Sequence, residues 1–509
     1  MISSNRRIVK NSIFLLSRTI FLTLVTLYTL REVVSILGTE EFGLYTVVFG
    51  VVAMFAFINS AMMSATQRFL SIAIGKNQIK EIRNNFYGSL FIHIGLAILV
   101  AILIFLSKDY FLYGILNIDA YKKEATIIYY FALCSVFISF IQVPFSALIT
   151  AYEKMQAFAY LAIFEGVAKL VVVYLLTFFD YNKVVMYSLF LTIISILILF
   201  LHILYCYVNF KHLIDNNLKL KKINLMIKGM VNFIGWSLIG NLSVVLRNQG
   251  SSILINVYFG LAVNAAFAIS LTVMSAVGAI ISSITNAINP QIFKAYAEGN
   301  IDKYYMLISK GTKYYIYLLS LVIIPLIFFM EYIMKLWMRD YPENTVLFCQ
   351  LILIVLLIDA FSILLTSGIQ ANGRIKWNQI VTGTLLCLPL PITYFLYDNF
   401  YSINSIFYIF IVVSILSLFT KLYFMSILVR YSIISYFRNV LYPGFFIVMI
   451  NSVIMFGLIN FFGFPDRFMD FIISLVTFVF LSSFFTFIFG VNFEEKMKLK
   501  KYFMGKVKI

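Results

Sequence analysis

Charge is scarce in this sequence. Of its 509 residues only 12% are Asp, Glu, Lys or Arg, where a soluble domain carries about 25%. With 62% hydrophobic residues and a mean hydropathy of +0.95, the soluble globular classes are excluded. Cysteine is nearly absent as well. Cys134, Cys206, Cys349 and Cys387 each stand inside an apolar run, and none forms a C-x-x-C pair. Neither a disulfide framework nor a metal site is supported, and packing is the role they predict. The three histidines, His93, His202 and His212, make no ligand cluster. Short alternating segments, the mark of a membrane β-barrel, are missing too. No cleavable leader is expected: the first apolar run, 13–37, is too long, carries Arg18 and Arg31, and lacks a small-residue cleavage site.

What is present is a series of apolar runs of about 20 residues, which predicts an all-α polytopic membrane protein. We read about fourteen spans, near 11–37, 43–71, 86–106, 125–151, 157–179, 184–209, 230–258, 262–290, 312–331, 345–371, 377–397, 401–428, 438–463 and 468–491. The expected organisation is an amino-terminal six-helix bundle over 1–210, a linker at 211–229 and a second bundle over 230–428. Two further helices over 429–491 and a basic tail at 492–509 complete it.

Lys and Arg set the orientation. The net charge of +17 would suggest nucleic acid in a soluble protein; here it needs only basic cytoplasmic loops, and no nucleic-acid partner is expected. Counting connections alternately from a cytoplasmic amino terminus, one side collects most of the loop Lys and Arg. The other collects only Lys108, Lys122, Lys123, Lys183, Lys335, Arg339 and Arg467. Both termini are therefore expected in the cytoplasm.

The two halves repeat in the same direction. Gly38-x-x-x-Phe42-Gly43 corresponds to Gly260-x-x-x-Asn264-Ala265 at an offset of 222. At that offset Ser60, Ser64 and Gln67 match Ser282, Asn286 and Asn289, spaced four and three in both copies. Parallel repeats predict a pseudo-twofold axis along the membrane normal with a cavity between the halves.

The second half opens on 228–258, an apolar stretch that also carries Asn241, Arg247, Asn248, Gln249, Ser251, Ser252 and Asn256. Asn241, Asn248 and Ser252 fall on one helical face, with Ser243, Arg247 and Ser251 beside them. Polar groups in hydrocarbon need partners or water, so this helix is expected to line a wet space.

Asn11-Ser12-Ile13-Phe14-Leu15-Leu16-Ser17-Arg18, Leu37-Gly38 leading to Phe42-Gly43-Leu44-Tyr45, and Gln67-Arg68 carry a resemblance. Together with the parallel six-span repeats, they resemble the multidrug/oligosaccharidyl-lipid/polysaccharide exporter superfamily. Within it, the text is most similar to the polysaccharide (O-antigen) flippases. The resemblance implies translocation of an undecaprenyl-pyrophosphate-linked glycan to the outer leaflet of a bacterial plasma membrane. It also implies polysaccharide polymerase and chain-length proteins as partners, beside the membrane lipids, and no cofactor beyond a proton or sodium gradient.

Charges within the spans supply the candidate site. Positive ones predominate, and a pyrophosphate is best held by fork-like donors. The candidate substrate-binding residues are Arg247, Arg18, Arg68, Arg31, Lys169, Asn241, Asn248 and Gln67. Asp359 and Glu165 are the candidates for ion coupling, with a structural pairing open to each: Glu165 with Lys169 four residues on, Asp359 with Lys169 or Arg247. Lys421, near the inner end of its span, is expected to snorkel. Two other functions compete. A multidrug/cation antiporter would want acidic residues facing its cavity. A membrane polymerase or glycosyltransferase would want sizeable outer loops, whereas Glu40-Glu41 sits in a tight turn and reads as solvated. No enzyme activity is expected.

Overall fold

The computed structural model describes residues 2–75, 78–152, 154–179, 181–213, 242–338, 340–399, 402–492 and 495–497. Among these every regular element is helical. In chain order they are α1 (Ile2–Ala53), α2 (Phe57–Gly75), α3 (Ile79–Asp109), α4 (Lys122–Ala151), α5 (Met155–Leu175), α6 (Lys183–Asn209) and α7 (Ser251–Ala297). Then follow α8 (Ile301–Phe328), α9 (Met330–Trp337), α10 (Thr345–Ala360), α11 (Ile363–Asn372), α12 (Lys376–Cys387) and α13 (Pro389–Asp398). The last are α14 (Ser405–Val429), α15 (Ile433–Phe462) and α16 (Phe468–Phe485).

Eleven helices are long and apolar enough to cross a membrane, and α10 with α11, bent by 40°, would supply a twelfth. The difference from the expected fourteen lies at two glycines. Gly38 (φ 78°, ψ 170°) divides α1, and Gly260 (φ 82°, ψ −173°) divides α7, so each of these long stretches holds two helices across a kink. Both glycines occupy a backbone region that is essentially closed to residues with a Cβ. They are the pair matched at the 222-residue offset, and they break the chain in the same way. The chain is a multi-pass, all-α membrane protein.

Pro144 and Pro325 lie inside continuous helices, while Pro389 heads α13 after the break that ends α12. The bend between α10 and α11 falls at Phe361-Ser362, with no proline. There Tyr436 Oη donates to the Phe361 carbonyl at 2.5 Å and Lys421 Nζ donates to Ser362 Oγ at 2.9 Å. A side chain distant in sequence thus satisfies the Phe361 carbonyl at the break in the helical ladder, and a second holds the Ser362 hydroxyl. Lys421 is held at this bend through the Ser362 hydroxyl.

The helices form two compact units. Unit 1 comprises Met1–Ile280, Met338–Thr345 and Gln379–Ile409; unit 2 comprises Ile281–Trp337, Val346–Asn378 and Phe410–Ile509. In unit 1, α4 is the most enclosed span, and Ala147, Leu148 and Ile149 at its end pack with Leu70, Phe86, Cys206 and Phe210. In unit 2 the core is built from Tyr304, Ile308, Ile316, Phe329, Phe348, Ile352, Leu364 and Phe410. Because lipid is as apolar as leucine, close packing and hydrogen bonds rather than hydrophobic burial bring such helices together. The exposed Leu99, Ile102, Phe105 and Leu106 on α3 are a lipid-facing stripe by this logic.

Candidate functional site

The site is built in unit 1 around the two glycine breaks. Five residues beyond Gly38 the chain reaches Gly43, where a Cβ would lie 2.1 Å from the Leu261 carbonyl oxygen, one residue past Gly260. Only glycine permits that approach of backbone to backbone. A buried hydrogen-bond chain fastens the contact. Ser252 Oγ donates to Asn264 Oδ1 (2.6 Å), Asn264 Nδ2 donates to Thr46 Oγ1 (3.1 Å), and Thr46 Oγ1 donates to the Gly43 carbonyl (3.0 Å). One turn beyond Ser252, Asn256 accepts from the Asn117 backbone N–H at 3.0 Å and ties the loop after α3 to the same helix.

Arg247 lies on the preceding turn. That turn, Leu246–Gly250, is π-helical and one residue wider than an α-turn, a form frequent at functional sites. Arg247 is 6% exposed, and its Nε donates to Asn248 Oδ1 at 3.4 Å. Ser243, Ser251, Ser252 and Asn256 are buried with it, and Asn248 and Gln249 are half-buried. The Gln249 side chain reaches α1: a Cβ on Gly50 would meet its Oε1 at 2.5 Å. Asn241, expected on this face, lies outside the described residues.

Two adjoining cavities open beside this network. The smaller, 230 Å³, is lined by Gln249 and Ser252 together with Thr46 and Gly50. The larger, 420 Å³, takes in Thr26, Thr29, Tyr187 and Lys169, and shares Tyr45, Thr46, Phe49 and Ala268 with the first. Among the described residues Lys169 is the larger cavity's one charged lining residue, and its Nζ is 2.6 Å from Glu165 Oε1, one turn away on α5. Arg31 Nε stands 3.6 Å from Glu32 Oε1, with the Glu32 side chain buried.

Residues 18–175, all in unit 1, match the MatE family model. A lipid II flippase, MurJ, in an inward closed conformation aligns with a TM-score of 0.64 at 15% identity, over 93% of this chain and 98% of that one. An inward-facing multidrug resistance MATE family transporter of the MOP superfamily gives 0.62 at 15%, over 80% and 96%. A MOP superfamily transporter from Pyrococcus furiosus, described as having a binding pocket of reverse polarity that suggests a different function, gives 0.60 at 14%, over 83% and 96%. No curated protein matches the sequence significantly.

The chain has the MATE fold.

The remaining candidates distribute unevenly over it. Arg18 and Arg68 fall in α1 and α2, but their side chains lie outside the described residues; Gln67 is half-buried on α2. Asp359 belongs to unit 2, at the end of α10, where its carbonyl accepts from Ser362 Oγ at 3.1 Å. Arg247, Asn248, Lys169, Glu165 and Arg31 all belong to unit 1, and of them Lys169 lines the larger cavity; Asp359 belongs to unit 2. Sequence reasoning did not single out Thr46 or the Asn117–Asn256 tie, since a threonine in an apolar run carries no signal until its partner is known. His93 and His202 bond carbonyls of their own helices, Ser89 and Ile198. Among the described residues no group of His, Cys, Asp and Glu is arranged to hold a metal ion.

Proposed function

We propose that the protein moves a lipid-linked oligosaccharide, joined to undecaprenol through pyrophosphate, from the cytoplasmic to the outer leaflet by alternating access. The observation that carries this reading is Arg247: a nearly buried guanidinium on a widened turn of a membrane-spanning helix, on the same stretch as Gln249 and Ser252, which line a cavity that Arg247 itself does not line. A charge at such depth is costly and faces a cavity or a partner. A guanidinium offers two parallel N–H donors to a phosphate oxygen pair. Lys169 supplies a cation to the wall of the larger cavity, with Glu165 limiting its net charge. Arg31, Arg18, Arg68, Asn248 and Gln67 are proposed to guide the same ligand, and both termini to be cytoplasmic. That one relative is a lipid II flippase supports the reading by fold alone. The Pyrococcus furiosus relative supports the idea that pocket polarity varies on this scaffold with function.

The test is surface polysaccharide in a flippase-deficient host, normalised to protein in the membrane. Arg247→Ala is expected to lose at least about tenfold, the cost of one charge-assisted hydrogen bond of about 1.5–3 kcal/mol. Arg247→Lys, which keeps the charge and loses the fork, is expected to fall between. Normal polysaccharide from well-expressed Arg247→Ala would remove the anion from this site.

A multidrug/cation antiporter is the second reading, favoured by the MatE match over 18–175. There Glu165 or Asp359 would exchange a proton or sodium ion for the cation. Efflux of a cationic dye that is lost in Glu165→Gln and kept in Arg247→Ala would select it.

A further inference from the structure

Unit 2 holds a cavity of 620 Å³, larger than either in unit 1, which the transport reading does not use. It lies where α8 begins, α14 ends and the chain runs on past α16. Among the described residues its cations are Lys310 and Lys313 of α8 and Arg430 just beyond α14, and its one carboxylate is Glu495. Three positive charges against one negative leave these described lining residues a net +2.

Glu495 spreads itself over both lysines. Oε1 is 3.1 Å from Lys310 Nζ, Oε2 is 3.0 Å from Lys313 Nζ, and the Asn492 backbone N–H donates to the same Oε2 at 3.0 Å. Burial by itself would raise the pKa of this carboxyl. The Asn492 N–H and the two ammonium groups outweigh burial and bring it down to about 2. Lys313, 4% exposed, is held over the rings of Tyr314 and Tyr317 at 5.5 and 6.0 Å. An anion is therefore what this end of the cavity is built around.

The other end is cationic and open. Arg430 is exposed, has φ +56°, and makes no ion pair among the described residues. A non-glycine residue persists in that backbone region where its surroundings fix it. Beside it stand the donors Tyr431, Ser432, Ser435 and Asn439. Ser432 also caps α15 by accepting from the Ser435 N–H at 3.2 Å, so the positive end of that helix faces the same space.

We propose that this cavity binds a phosphate group, and that Glu495 is the chain's own occupant of one end of it. One carboxylate neutralises a third of the positive charge. A phosphate carries one to two further negative charges and oxygens enough for the Arg430 fork and the hydroxyls. The Lys/Arg asymmetry assigns this end of the unit to the cytoplasm, where the ligand would be the headgroup of an anionic phospholipid or a soluble phosphate. This phosphate site is independent of which substrate the protein carries.

The experiment titrates the full-length protein in uncharged detergent with inorganic phosphate, dihexanoyl-phosphatidylglycerol and, as control, dihexanoyl-phosphatidylcholine, and reads Kd calorimetrically. Arg430→Gln is expected to weaken binding about tenfold, the cost of one charge-assisted hydrogen bond. Glu495→Gln, which removes the internal competitor, is expected to tighten it about threefold or more. Arg430 is exposed, so its replacement leaves the fold intact and keeps the test valid if lysine variants fail to assemble. Binding of phosphate and of the glycerol lipid alike points to the phosphate itself; binding of the lipid alone points to a headgroup. Absence of binding by both, equal binding of the choline lipid, or a Kd indifferent to Arg430→Gln and Glu495→Gln overturns the proposal.

Discussion

Asn264 shows how much one side chain can hold in a membrane protein. It accepts from Ser252 and donates to Thr46 and, at 3.4 Å, to the Gly43 carbonyl, all inside unit 1. Hydrogen bonds between membrane helices average about 0.6 kcal/mol, so three of them are worth about 2 kcal/mol. Asn264→Leu is expected to lower the thermal midpoint of the purified protein while leaving it helical. An unchanged midpoint would show the network to be incidental. Gly43 is under a harder constraint, because any Cβ meets the Leu261 carbonyl. Gly43→Ala is expected to cost about 1–3 kcal/mol through forced displacement of backbone. Gly38→Ala meets no atom within 4 Å and suffers only from its backbone conformation. Of the two, Gly43→Ala alone should disturb the Ser252–Asn264–Thr46 chain, read as protease sensitivity between α6 and α7.

At the scale of elements, the carboxyl-terminal segment gives a pH-dependent test. The Glu495 carboxyl falls from an ordinary 4.5 to about 2 in the folded protein, so its contribution to docking is complete above pH 4.5. As pH falls from 4.5 toward 2 the carboxylate takes up its proton and the contribution is lost. A spin label at the exposed Met497 should therefore gain mobility on acidification from pH 6 to pH 3. The same label in Glu495→Gln should already be mobile at pH 6 and respond little. Identical profiles for the two proteins would mean that the lysines do not hold the segment. Orientation is tested by cysteines: an impermeant reagent on intact cells is expected to reach a cysteine at 41 and not one at 217. The reverse pattern would invert the topology.

The elements were legible where one residue decides them. Gly38 and Gly260 were readable as a repeat because each stands at the same offset before a new apolar run, and both proved to break the chain. The bend at Phe361-Ser362 was not readable, because Tyr436 and Lys421, which bond to it, lie 75 and 59 residues away. The Glu165–Lys169 pair was readable from its spacing of four, a local relation that a helix enforces. The π-turn at Leu246–Gly250 was invisible in the polar stripe, since residue spacing presumes a regular α-helix. The basic cavity of unit 2 was missed for the same reason as the bend: Lys310, Arg430 and Glu495 are assembled by tertiary contacts, while in sequence each looks like an ordinary loop cation or tail acid.

For the molecule as a whole, composition settled the class and the pattern of apolar runs settled the fold, but a fold shared by drug exporters and a flippase does not choose a substrate. The choice proposed here rests on the buried Arg247 of unit 1. It is tested most directly with purified protein in liposomes that carry a fluorescent undecaprenyl-pyrophosphate oligosaccharide, by measuring how fast a membrane-impermeant lectin gains access to probe from the inner leaflet. The account predicts rapid access with the natural protein, at least about tenfold slower access with Arg247→Ala at equal protein density, and no inhibition by a cationic dye. Equal rates for the two proteins, or no movement of the probe together with uptake of the dye, would contradict it.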